Sequence, residues 1–258
     1  MPDSPAVAHF TAPDGVRLAY EVVGEGPAVL LLHGFASSAR INWVRPGVAG
    51  ALADGGFQVL SYDARGHGGS DAPHQPAAYG ADAMVDDARA LADHLGLERF
   101  DAVGYSMGAQ TAAALAEADP RVRRVVLGGI GSRLLALRPG EEPYPAAAIA
   151  DALEADDPWA LPEGTGRAFR AFADATGSDR LALAALQRAR TLDGRADLSR
   201  ITVPVLVVVG RHDTLVGDAS SLVDGLADAR LEVVPGDHLS AVTTPAFAAA
   251  VVRFLAAP

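Results

Sequence analysis

Gly104-Tyr105-Ser106-Met107-Gly108 stands between a short apolar run, Phe100 to Val103, and an alanine-rich helix former, Ala109 to Ala118. A strand, a sharp turn and a helix in that order push a serine hydroxyl out of the sheet. The flanking glycines leave space where a side chain would meet the neighbouring strand or helix. Ser106 is therefore the candidate nucleophile. The amide of Met107 would lie at a helix N-terminus, where unpaired N–H groups and the helix dipole favour developing negative charge.

Three further signals surround this turn. Val203 to Val209 is a run of β-formers ending in Gly210-Arg211-His212-Asp213, which places Asp213 just past a buried strand. Leu231 to Val234 is a short strand leading into Pro235-Gly236-Asp237-His238. Ala28 to Leu32 is another, leading into His33-Gly34-Phe35.

With these residues in hand, the chain resembles the α/β-hydrolase family over nearly its whole length. Ser106, Asp213 and His238 fall in the nucleophile, acid and histidine order of that fold. The resemblance implies an oxyanion hole made by the backbone N–H groups of Phe35 and Met107. The turn Asp63-Ala64-Arg65-Gly66-His67-Gly68-Gly69-Ser70, after the strand Phe57 to Tyr62, matches the family too and reads as fold evidence without chemistry.

A serine hydroxyl needs a base within hydrogen-bond reach at neutral pH, and a neutral imidazole can take and return that proton. His238 fills that role, and a carboxylate on its other ring nitrogen, Asp213, would fix the tautomer and stabilise the imidazolium. Asp237 is the competing acid. Its side chain would have to fold back onto the adjacent imidazole, so Asp213 is favoured. His33 is expected to hold the oxyanion loop by hydrogen bonds. His67 and His212 are placed in loops near the mouth of the site, and His9, His74 and His94 at the surface or in loops.

Composition removes rival chemistries. The 258 residues contain no cysteine and no lysine, which excludes thiol nucleophiles, cysteine-held metals, Schiff-base lysines and a Ser-Lys dyad. No Gly-x-Gly-x-x-Gly run follows a strand, and no histidine pair has zinc-site spacing, so neither cofactor nor metal is expected. The net charge of −11 argues against nucleic acid and anionic membranes as partners. Residues 1–9 lack a basic and apolar leader, and no apolar stretch reaches membrane-spanning length. A cytoplasmic location is therefore expected, and the Ala, Gly and Arg bias suggests a bacterial, GC-rich origin.

The elements that must position these groups follow a regular rhythm. A hairpin turning at Asp14-Gly15 joins Val7–Thr11 to Val16–Val23. Parallel-type strands follow over Ala28–Leu32, Phe57–Tyr62, Phe100–Tyr105, Val122–Leu127, Val203–Val209 and Leu231–Val234, with helices over Trp43–Ala53, Ala81–Leu95, Met107–Ala118 and Pro245–Leu255. Continuous apolar strands imply helices on both faces of a mostly parallel central sheet. Between about Ser132 and Leu198 the rhythm breaks into prolines and helical stretches, Ala146–Glu154, Arg167–Ala175 and Asp179–Thr191. By resemblance, 132–198 is a small helical cap inserted in a core formed by 1–131 and 199–258. Leu134, Leu135, Leu137, Trp159, Leu161, Phe169 and Phe172 are its apolar candidates for lining an acyl pocket.

The expectation is an α/β-hydrolase fold carrying a cofactor-independent serine hydrolase. The activity it best fits is a carboxylesterase cleaving small to medium apolar esters through an acyl-enzyme. By resemblance, a lactonase, a C–C bond hydrolase or a perhydrolase would share the triad. Dehalogenases and epoxide hydrolases would carry an aspartate in place of Ser106. A reading of another class is a small-ligand receptor on the hydrolase fold with little turnover. The oligomeric state is left open.

Overall fold

Alternate residues of Ala28–Leu32 serve two different layers, which is why the whole strand is apolar. Leu30 and Leu32 belong to one buried cluster and Val29 and Leu31 to another, on the opposite side of the sheet. The computed structural model describes residues 7–80, 82–135, 144–189 and 196–257. Its eight strands are β1 (Ala8–Thr11), β2 (Arg17–Val23), β3 (Ala28–Leu32), β4 (Gln58–Tyr62), β5 (Phe100–Tyr105), β6 (Val122–Gly128), β7 (Val205–Gly210) and β8 (Ala229–Val234).

They form one sheet in the order β1-β2-β4-β3-β5-β6-β7-β8. The β1–β2 hairpin pairs antiparallel, with Thr11 opposite Arg17, and β2 also runs antiparallel to β4; the remaining pairs are parallel. This is the α/β-hydrolase architecture expected from the sequence. Strand β7 starts two residues later than the apolar run because Pro204 has no N–H to give to a ladder.

On one face lie α1 (Val48–Asp54) and α9 (Pro245–Leu255), and on the other α2 (Ala83–His94) and α3 (Met107–Ala118). Helix α9 starts as its sequence dictates, with Pro245 in the first turn and the Thr244 hydroxyl accepting from Phe247 N at 3.2 Å. The single helix expected over 43–53 is broken. One π-helical turn, Arg40–Val44, comes first, then Pro46 and Gly47, whose φ of 83° is open to glycine, and only then α1.

After β6 the chain leaves the sheet through α4 (Ser132–Leu135), α5 (Ala146–Glu154), α6 (Thr165–Thr176) and α7 (Arg180–Ala189), and returns at β7. Arginines cap the C-terminal end of α5: Arg170 Nη1 donates to Ala155 O at 2.5 Å and Arg180 Nη1 to Leu153 O at 3.0 Å. Leu137 and the end of the helix expected to reach Thr191 lie outside the described residues. A short helix that the sequence reading omitted, α8 (Ser220–Asp224), lies between β7 and β8.

Deep in the body, Arg65 holds Asp87 side-on, Nε to Oδ2 at 2.7 Å and Nη2 to Oδ1 at 2.6 Å. Both side chains are almost fully buried. Among the described residues no helix is long and apolar enough to cross a membrane.

Candidate active site

Ser106 caps the end of β5 with φ 54° and ψ −113°, and only one other non-glycine described residue, Ala36, has positive φ. The strain is held from both sides. A Cβ on Gly104 would run into the carbonyl of Gly108, and one on Gly108 into the carbonyl of Leu32. Both glycines are required for α3 to close down on β5 and β3.

Ser106 Oγ lies 3.0 Å from His238 Nε2, and His238 Nδ1 lies 2.8 Å from Asp213 Oδ2. A carboxylate only accepts, so Nδ1 donates to Asp213, which leaves Nε2 to accept the Ser106 hydroxyl proton. Asp213 has a fully buried side chain, and its other oxygen accepts from Leu215 N at 3.1 Å. The three groups come from the ends of β5, β7 and β8, far apart in sequence.

Asp237 is occupied elsewhere. Its Oδ1 accepts from Leu239 N, Ser240 N and Ser240 Oγ at 3.1, 2.9 and 2.6 Å. The Ser240 hydroxyl and amide hold its carboxyl below the ordinary carboxylate range. It shapes the turn that carries His238. Tyr105, beside the serine, fixes the same turn by donating its hydroxyl to His238 O at 2.8 Å.

The loop after β3 brings Phe35 to the site. On either side of Phe35 the amides are engaged: Gly34 N donates to Asn42 Oδ1 at 2.9 Å and Ala36 N to His67 Nε2 at 3.1 Å. The amides of Phe35 and Met107 have no acceptor among the described residues. Asp63 Oδ1 accepts from Ala39 N at 2.8 Å, and His33 Nε2 accepts from Ala64 N at 3.0 Å. The 63–70 turn therefore clamps the loop.

Both clamp histidines are locked in one tautomer. His33 Nδ1 donates to Gly34 O at 2.8 Å and His67 Nδ1 to Arg65 O at 3.0 Å, so each Nε2 is free to accept. Burial pushes His33 down to about 4, and burial together with the His33 ring pushes His67 down to about 3. Neither acts as a proton carrier near neutral pH.

A cavity of about 170 Å³ is lined by Phe35, Asn42, Ser106, Phe169, Phe172 and His238, among others. It shares Phe169, Phe172, His238 and Leu239 with a second cavity of about 340 Å³ that reaches Arg133, Thr165 and Leu215. Phe169 packs edge-on against Phe35, ring centroids 5.5 Å apart. Leu134 and Leu135 are buried in α4, and they are not among the residues lining these two lobes. Trp159 falls in the 3-10 turn Pro158–Ala160, between α5 and α6.

Asn42 and Arg133 are among the lining residues that the sequence alone does not single out. Asn42 is buried, spends Oδ1 on Gly34, and leaves Nδ2 unpartnered beside the cavity. Its seat in a π-turn is visible only in the fold. Arg133 has no periodic or motif signal at all.

A family model for the α/β hydrolase fold matches residues 27–161. The chain is 30% identical to 3-oxoadipate enol-lactonase 2 of Acinetobacter baylyi, over 93% of this chain and 94% of that protein. It is 35% identical to epoxide hydrolase 2 of Siraitia grosvenorii over 41% of this chain, and there the match spans only 33% of the relative's length. Among solved structures, a hydrolase from Pseudomonas aeruginosa superposes with a TM-score of 0.79 at 32% identity, covering 99% of this chain and 100% of that one. An enol-lactonase from Burkholderia xenovorans superposes at 0.80 with 27% identity, covering 97% and 100%.

Proposed function

Because the chain belongs to the α/β-hydrolase family, we propose that it is a cofactor-independent serine hydrolase that opens carboxylic esters through an acyl-enzyme. The observation that carries this reading is the unbroken line of hydrogen bonds from Ser106 through His238 to Asp213. Ser106 Oγ attacks the carbonyl carbon as its proton passes to His238 Nε2. The amides of Phe35 and Met107 receive the developing oxyanion. His238 returns the proton to the departing alcohol, then takes one from the water that attacks the acyl carbon and passes it to Ser106 Oγ as the acyl–oxygen bond breaks and the acid leaves. Asp213 holds the imidazole in the tautomer that both halves require.

The helices between β6 and β7 act in this reading as a cap, with Phe169 and Phe172 as the apolar walls over the serine. Asn42 Nδ2 supplies a polar handle for the substrate next to the oxyanion loop. The substrate is a small molecule, since the serine lies in a cavity of about 170 Å³.

A second reading, lactone opening by the same steps, is favoured by the full-length likeness to a protein named 3-oxoadipate enol-lactonase 2. An epoxide hydrolase reading is disfavoured, because the resemblance that suggests it calls for an aspartate where this chain has Ser106. Hydrolysis of p-nitrophenyl esters from acetate upward, with Ser106→Ala alongside, tests the proposal. Turnover that vanishes in the variant is expected. Tight ligand binding with no steady-state turnover would overturn it in favour of a receptor.

A further inference from the structure

We infer that the outer lobe of the cleft recognises a carboxylate on the substrate through the Nε and Nη2 edge of Arg133, an inference that rests on the hydrolase reading above. Arg133 sits in α4, just past the end of β6, and lines the 340 Å³ lobe that also contains His238. Its Nη1 donates to Thr214 O at 3.3 Å and Leu215 O at 3.1 Å. Those bonds fix the plane of the guanidinium and leave its opposite edge over. Nε is buried with no partner, and Nη2 has no acceptor among the described residues.

Other arginines of this chain show what that edge takes. Arg65 presents Nε and Nη2 to Asp87 at 2.7 and 2.6 Å, and Arg123 presents the same pair to Asp101 at 3.2 and 2.6 Å. Two parallel N–H groups match the two oxygens of a carboxylate, and a buried charged donor left unmatched is costly. The chain has 32 acidic residues against 21 basic ones. Among the described residues, no aspartate or glutamate lines this lobe. A second feature points the same way: Gly164 and Thr165, at the start of α6, face the lobe, with no side chain capping that helix and no acid in its first turn.

The two lobes meet at His238 and Leu239, between Phe169 and Phe172. A substrate whose carbonyl is at Ser106 would reach Arg133 with an arm that runs past the imidazole they share. The class assigned is an ester or lactone carrying a free carboxylate on such an arm, held by charge at one end and attacked at the other.

The test is a set of paired substrates: monomethyl esters of the four- to eight-carbon dicarboxylic acids against the corresponding dimethyl esters, followed by pH-stat. Wild type should favour the charged monoester in kcat/KM by roughly tenfold to a hundredfold at one or more chain lengths. That ratio should fall toward unity in Arg133→Gln and recover in part in Arg133→Lys. Because Arg133 also braces the segment after Asp213, the ratio within each enzyme is compared, which cancels a general loss of activity. Salt gives a readout that needs no variant: raising it from low to high should erode the preference in wild type.

Equal or better turnover of the neutral diesters at every length, or a preference that survives Arg133→Gln, would overturn the inference and leave the hydrolase reading standing. Failure to hydrolyse these esters and the p-nitrophenyl series alike would overturn both.

Discussion

The backbone N–H of Ala36 donates to His67 Nε2 at 3.1 Å, while the carbonyl of the same residue accepts from Thr176 Oγ1 and Ser178 Oγ, each at 3.3 Å. One residue at φ 58° is thus held through its amide by the turn after β4 and through its carbonyl by the C-terminal end of α6. Its neighbour Phe35 carries the proposed oxyanion donor.

Removing the acceptor should loosen that donor. His67→Phe is expected to lower kcat for a p-nitrophenyl ester by about tenfold to a hundredfold with little change in KM, because the donor acts mainly on the transition state. His67→Gln, which retains an acceptor, should lose less. Steady-state kinetics of the two variants, with circular dichroism to establish folding, checks this.

Acidification should destabilise the fold through its two buried imidazoles. An unfolded imidazole binds its proton near pH 6.5, but His33 and His67 are held neutral down to about 4 and 3. Between those values the unfolded chain holds more protons, so stability is highest above about pH 6.5 and falls as pH drops toward 4. The loss is on the order of several kcal/mol for the pair. Urea midpoints measured from pH 7.5 to 4.5 should fall, with a shallower slope in His67→Gln.

The two neighbouring acids should separate cleanly. Asp213→Asn removes the group that sets the imidazole tautomer and should cost about 10⁴ in kcat. Asp237→Asn loosens only the turn at Ser240 and should keep activity within a few-fold, with a stability loss of about 1 kcal/mol. A reversal of these two results would reassign the acid.

Arg65→Met should destabilise by about 3–5 kcal/mol, since it leaves the Asp87 carboxylate buried without its partner, and Asp87→Asn by less, because Arg65 keeps Asp14 Oδ2 at 2.8 Å and Ala78 O at 2.6 Å. Denaturant titration of Asp87→Asn, Arg65→Met and the double variant tests this. The double variant should be less damaged than the sum of the singles.

What could be read from the sequence was what local pattern encodes. Apolar runs located the strands and the paired glycines located the turn at Ser106, while the choice between Asp213 and Asp237 as acid rests on the proposal tested above. What could not be read depends on distant partners. His67 was placed merely near the mouth because its acceptor nitrogen meets Ala36 only after β3 and β4 have paired. Asn42 and Arg133 sit in a π-turn and a four-residue helix, elements too short to leave a periodicity. The helix expected over 43–53 is interrupted for a local reason, the Pro46-Gly47 step, which breaks a helix.

The ion pairs described above are all made by guanidinium groups, because the chain contains no lysine. An ammonium group would lose its charge near pH 10, whereas a guanidinium keeps it above pH 12. Tyr62, Tyr79 and Tyr105, shielded by burial, are pushed above the ordinary phenol range. The electrostatic framework is therefore nearly invariant on the alkaline side, and the molecule's response to pH is concentrated in its acid limb.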